Sequence, residues 1–200
     1  MQMPFTIEFM GTPEAGKTSL IHRLTNYLET KGLKTFVVQE SAELLPSFFP
    51  KGSMEAHYWI RLKAALSLLE IQVSKTNYDV ILIDRGIIDS FFWNNYYATL
   101  GKISFETDSL AKSFFKSIGI QYPDLVILLR ASIDESLKRR GGEGRLVNRK
   151  FLKNFNDKLD EFKKTIQLPI FELDTTNLTQ EEVFNTVIAH IPTLWQKTSN

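Results

Sequence analysis

The sequence predicts a three-layer α/β protein built on a parallel sheet. Three observations lead there: apolar runs of strand length, helical spacing in the segments between them, and a glycine-rich loop joining the first run to the first helix.

The strand candidates are Phe5 to Met10, Thr35 to Val38, Val80 to Ile83, Leu125 to Leu129 and the shorter Ile170 to Leu173. Strands that are apolar on both faces, each followed by a helix, suit a parallel sheet covered above and below. Leu20, Leu24 and Leu28 recur at i, i+4 and i+8, and Gly32 is placed to end that helix. Ile60, Ala64, Leu68 and Ile71 mark a second helix, with Ser53 at its start. Residues 87–99 and 107–118 have helical spacing as well. Phe151, Phe155, Leu159 and Phe162 form another stripe, and Val183, Val187 and Ile191 a last one. No repeat, low-complexity tract or linker interrupts the pattern, so one domain over residues 1–200 is expected. Two segments are irregular: Leu44 to Gly52, with Pro46 and Pro50, and Arg139 to Arg145, with three glycines.

Composition narrows the function classes. Hydrophobic residues make up 43% of the 200, enough for a full core without a metal or disulfide staple. Cysteine is absent, which removes disulfides, thiolate metal sites and cysteine nucleophiles together. A formal net charge of +1 supplies no field for gripping nucleic acid or a membrane, so any basic site must be local. The start, Met1-Gln2-Met3-Pro4, lacks a basic region followed by a long apolar stretch, and the apolar runs are too short to span a bilayer. A cytoplasmic protein is expected, with a small-molecule partner and with neither nucleic acid nor membrane. A homodimer is compatible with the sequence.

Gly11-Thr12-Pro13-Glu14-Ala15-Gly16-Lys17-Thr18 fits G-x-x-x-x-G-K-[ST] at every fixed position. Phosphate oxygens need backbone N–H donors brought very close, which glycines permit, and the helix opening near Lys17 adds the positive end of its dipole. The motif therefore predicts binding of ATP with Mg²⁺. Gly11, Pro13, Glu14, Ala15, Gly16 and Ser19 frame the phosphates, Lys17 reaches the β- and γ-phosphates, and the Thr18 hydroxyl ligates the metal.

The third apolar run delivers Asp84 at its C-terminal end, the edge where open α/β sheets bind ligands. A carboxylate there suits Mg²⁺, directly or through its waters; the alternative is a cap on the next helix. Arg85 follows, where many ATPases that move mechanical loads or solutes place a water-activating glutamate. GTPase signatures are missing too. An arginine beside the metal suits gripping an acceptor or the phosphate in transit, and Asp89 lies within reach of it if the helix starts early.

With these residues in place, the chain resembles the nucleoside and nucleotide kinases of the P-loop class, especially thymidylate and deoxynucleoside kinases. The resemblance runs through the loop at 11–18, the acid Glu40 ending the second strand, the Asp84-Arg85 pair, the arginine-rich segment 139–149 and the final β-α unit at 168–191. It implies a five-stranded parallel sheet of order 2-3-1-4-5 with a lid over the phosphates. The chain departs from those kinases at Gln39-Glu40-Ser41-Ala42, which lacks the Arg-Glu-Pro-Gly of thymidylate kinases and the Glu-Pro of deoxynucleoside kinases.

Glu40 is then the candidate to accept the proton of an acceptor hydroxyl. Arg139, Arg140, Arg145 and Arg149 surround Gly141, Gly142 and Gly144, so this segment could swing and bring cations to the transferring phosphate. The alternative is a basic helix end, where Arg139 and Arg140 complement the dipole. Arg145, after the glycines, is the leading catalytic candidate. Tyr58 and Arg61, on the helix after the proline-containing loop, are candidates for the acceptor pocket, with Arg85 at its inner end. The reading is a phosphotransferase that moves the γ-phosphate of ATP to a nucleoside, a nucleoside monophosphate or another small molecule such as a vitamin riboside. A regulator that binds ATP without transfer, and a slow NTPase, are the rivals.

Overall fold

The computed structural model describes residues 4–74, 77–144 and 146–198. Five strands, β1 (Phe5–Gly11), β2 (Thr35–Val38), β3 (Val80–Asp84), β4 (Leu125–Arg130) and β5 (Ile170–Asp174), pair in parallel in the order β2-β3-β1-β4-β5. Seven helices accompany them among the described residues: α1 (Lys17–Thr30), α2 (Met54–Ser74), α3 (Ile87–Thr99), α4 (Phe105–Ser117), α5 (Ile133–Arg140), α6 (Arg149–Lys163) and α7 (Gln180–Thr198). The expected fold class and strand order both hold.

Side chains alternate across the central strands, so each face has its own core. Ile7, Phe9, Leu82, Ile127 and Leu129 point to α1 and α7, where Leu24 and Val187 are fully buried. Met10, Ile81, Ile83, Val126 and Leu128 point the other way, toward Phe92 of α3 and Phe155 of α6. A fully buried side chain of this size contributes about 1.5–3 kcal/mol. The edge strands β2 and β5 are only partly covered.

Caps fix the helix ends that matter for the site. Ser53 accepts from the amide of Ala56 at 3.1 Å and so starts α2 one residue on. α1 ends in a Schellman motif: Gly32 N–H donates to Glu29 at 2.9 Å and Leu33 N–H to Leu28 at 3.1 Å. The sequence reading left 133–140 without a helix of its own. Ser132 caps that stretch, its hydroxyl accepting from Glu135 N–H, and α5 carries Arg139 and Arg140 in its last turn.

Candidate active site

The phosphate loop leaves β1 beside β4 so closely that a Cβ at Gly11 would lie 1.9 Å from the Leu129 carbonyl oxygen, and only glycine fits. The next amide, of Thr12, donates to that carbonyl at 3.0 Å. Lys17 is folded back into the loop, its ammonium donating to the Thr12 carbonyl at 2.9 Å. Burial, with Arg85 nearby, lowers its pKa to about 7, against the pull of Asp84, Asp89 and Glu40.

Thr18 and Asp84 meet at the mouth of the loop. The Thr18 hydroxyl donates to Asp84 Oδ2 at 2.7 Å, while Asp84 Oδ1 is buried with no hydrogen-bond partner. An orphaned carboxylate oxygen beside a hydroxyl fits Mg²⁺, which takes few protein ligands and completes its shell with phosphate oxygens and water. Among the described residues no cluster of three or more His, Cys, Asp or Glu could hold a metal without such help.

Arg85 stands next to this pair, held by two carboxylates. Its Nε lies 3.2 Å from Glu40 Oε1 and its Nη1 3.1 Å from Asp89 Oδ1; α3 starts only at Ile87, so Arg85 reaches Asp89 from the turn before the helix and not along it. Burial opposes its charge, but Asp89, Glu40 and Asp84 together keep its pKa above the ordinary arginine value. Burial raises both Glu40 and Asp89, with Arg85 pulling each down.

Two cavities meet at these residues. One, of about 650 Å³, runs over Pro13, Glu14, Ala15, Gly16, Lys17, Thr18 and Ser19 toward Arg139, Thr175 and Leu178. The other, of about 390 Å³, is walled by Ser53, His57, Arg61, Trp93, Tyr97, Val147 and Phe151. Pro13, Glu40 and Arg85 line both.

Arg61 is the unusual residue of the smaller cavity. It is 4% exposed and lies over the rings of Phe91 and Phe115, yet its Nε and Nη2 have no hydrogen-bond partner. Burial lowers its pKa to about 10, with Asp108 opposing. Nearby, His57 Nε2 is 2.7 Å from Asn94 Oδ1, and the Asn94 amide donates to Asp108 at 3.1 Å. That buried polar chain was not foreseen, because its members are isolated in sequence. Tyr58, the neighbouring candidate, is 40% exposed and does not line the cavity.

The arginines of 139–149 separate into different roles. Arg139 donates to the Glu14 carbonyl at 3.2 Å and to the Thr175 carbonyl at 2.7 Å, joining α5 to the phosphate loop and to the turn after β5. Arg140 reaches the Glu14 carboxylate at 3.4 Å. Arg149 pairs with Asp134, away from both cavities. Arg145 lies outside the described residues. Leu146 and Val147, after the glycines, wall the smaller cavity instead. Sequence reasoning missed Thr175 and Leu178 of the larger cavity, since nothing in the chain around them carries a motif.

A glycine-rich loop opening α1, an acid ending β3 and a parallel sheet of order 2-3-1-4-5 give the chain the fold of the P-loop nucleoside and nucleotide kinases. By sequence, no family model and no curated protein matches the chain. By structure, it is similar to deoxyadenosine kinase from M. mycoides solved with dCMP and dCDP, at a TM-score of 0.72 and 19% identity over 94% of this chain and 100% of that one. The same kinase with dATP gives 0.70 and 19% identity over 96% and 100%. Thymidylate kinase from Candida albicans gives 0.68 and 17% identity over 96% and 92%.

Proposed function

We propose that the chain is an ATP-dependent phosphotransferase, one P-loop domain over its whole length, that moves the γ-phosphate to a hydroxyl of a nucleoside. The observation that carries this reading is the junction of the two cavities at Glu40 and Arg85. A triphosphate in the larger cavity would present its γ-phosphate there, in line with an acceptor held in the smaller one. The likeness to deoxyadenosine and thymidylate kinases supports the same reading.

The loop amides and Lys17 hold the phosphates, and Arg139 reaches the far side of their cavity. Thr18 and Asp84 would hold Mg²⁺, which when bound would supply positive charge to offset that developing on the phosphates. The acceptor oxygen attacks the γ-phosphorus as its O–H bond breaks; the proton passes to Glu40, the bond to the β-phosphate oxygen breaks, and ADP leaves. Arg85 steadies the charge on the phosphoryl oxygens, and Arg145 from the glycine segment is a further cation for that work. Arg61 meets its orphaned donors with acceptor atoms of the substrate's base.

A neutral hydroxyl suits the site better than a monophosphate because Arg85 is already matched by Glu40 and Asp89, and two carboxylates repel an incoming phosphate. Lys51 and Arg61 in the same cavity favour the monophosphate as the second reading. Among the described residues no helix is long and apolar enough to cross a membrane. Leu62, Leu66 and Val73 leave an exposed apolar stripe on α2 that suits a homodimer.

The test is incubation with Mg·ATP and a mixed panel of nucleosides, nucleoside monophosphates and vitamin ribosides, with products identified by mass. A phosphorylated nucleoside is expected. ATP binding without any product would favour a regulator, and ADP release without a phosphorylated acceptor would favour a slow NTPase.

A further inference from the structure

Glu8 is a carboxylate in the middle of the central strand, fully buried between Ile7 and Phe9. Its two oxygens accept from the first turn of α3: Oε2 from Ile88 N–H at 3.1 Å and Oε1 from Asp89 N–H at 2.8 Å. These are donors that a helix start leaves without partners, and a capping side chain just before the helix usually takes them. Gly86 occupies that position here and has no side chain to offer. Nor could it have one, since a Cβ would lie 2.7 Å from Glu8 Oε2 and 2.8 Å from Ile83 Cγ2. The cap comes from another strand.

The same stretch of β1 holds the other end of the turn. Arg85 N–H donates to the Phe9 carbonyl at 3.0 Å, and Arg85 itself sits at φ 55, a left-handed conformation that a residue with a side chain seldom adopts. Residues 8 and 9 thus pin a strained turn from both sides. What the turn carries is the Arg85 guanidinium, with Asp89 on one flank and Glu40 on the other. An apolar side chain would fill this place in the core at lower desolvation cost. A carboxylate gives what an apolar residue cannot, a fixed direction for the helix start.

We propose that Glu8 is a positioning residue: by capping α3 from inside β1 it aims the Arg85 side chain at the junction of the two cavities. The catalytic consequence rests on the function proposed above, whereas the positioning belongs to the protein without substrate.

The test uses the full chain with Glu8→Gln, which keeps the shape and one acceptor oxygen, and Glu8→Leu, which keeps neither cap. Nitrogen-15 spectra report the Arg85 Nε–H directly, assigned through its loss in Arg85→Lys. In folded Glu8→Gln the Ile88 and Asp89 amides and the Arg85 Nε–H should move while signals from β4, β5 and α7 stay. The turnover number should fall about 10- to 100-fold, as for a misplaced catalytic group, with ATP affinity little changed. In an Arg85→Lys background the added loss should vanish, because Glu8 acts through that side chain. An unmoved Arg85 Nε–H, a moved one with wild-type turnover, or additive losses in the double variant would each overturn the proposal. If Glu8→Gln does not fold, Glu8→Asp, which withdraws the carboxyl group by one methylene, takes its place in the same three measurements. If the wild-type protein phosphorylates no acceptor, the proposed function fails, and the Arg85 Nε–H alone still decides the positioning.

Discussion

The Thr18 hydroxyl donates to Asp84 Oδ2 across 2.7 Å, tying the first turn of α1 to the end of β3 where a triphosphate would enter. The other Asp84 oxygen is buried and has no hydrogen-bond partner.

Asp84→Asn keeps the shape and removes the carboxylate charge. Transfer should fall by orders of magnitude, and the Mg²⁺ concentration giving half-maximal rate should rise. An unchanged metal titration would reduce Asp84 to a tie for Thr18.

Lys17→Ala removes an ammonium that donates to the Thr12 carbonyl. ATP-dependent activity should disappear and ATP affinity should drop, while the unfolding temperature stays close to wild type because no core contact is lost. Calorimetric titration and thermal unfolding measure both. Wild-type ATP affinity in a folded variant would contradict the phosphate-loop assignment.

The arginines after β4 should divide by position. Arg139→Ala breaks the bridge from α5 to Glu14 and Thr175, and ATP affinity should fall about tenfold, or about 1.4 kcal/mol. Arg149→Ala removes an exposed pair with Asp134 and should change affinity little. Equal effects from the two would mean that both act in a closed lid.

Arg61→Met replaces a buried cation that has two unpaired donors with an apolar chain of similar length. The acceptor KM should rise about tenfold or more, since a site built to hydrogen-bond its substrate loses that bond. Stability should not drop, because a buried unsatisfied charge has been removed. An unaltered acceptor KM with a lower melting temperature would make Arg61 a core residue.

Glu8 also predicts a pH dependence of stability. Burial raises its carboxyl from 4.5 to about 8 in the folded protein, against the backbone N–H groups of Asp89 and Ile88. The folded state therefore binds this proton more tightly than the unfolded chain does. The associated stability is fully present below about pH 4.5 and is lost as pH rises through about 8. The melting temperature of the wild type should accordingly fall relative to Glu8→Gln across that window. A constant difference would show a carboxylate ionised throughout.

The sequence by itself determined the frame and the place of the glycine-rich loop in it. Strand and helix patterns repeat within single elements, and the G-x-x-x-x-G-K-[ST] pattern lies within eight consecutive residues. Asp84 and Glu40 come together for a related reason: Asp84 ends β3 and Glu40 lies two residues past the end of β2, and the sheet puts those ends on one edge. The tertiary structure alone decided which side chains converge there. Glu8 reads as an oddity in an apolar run until α3 is packed over it, and the chain from His57 through Asn94 to Asp108 joins three helices, α2, α3 and α4. Tyr58 and Arg61 share a helix, yet the first faces out and the second is buried, because packing against α3 and α4 sets which face of α2 is covered. Contacts between elements depend on rotation and register, which follow from the packed core as a whole and leave no mark on any single stretch of chain.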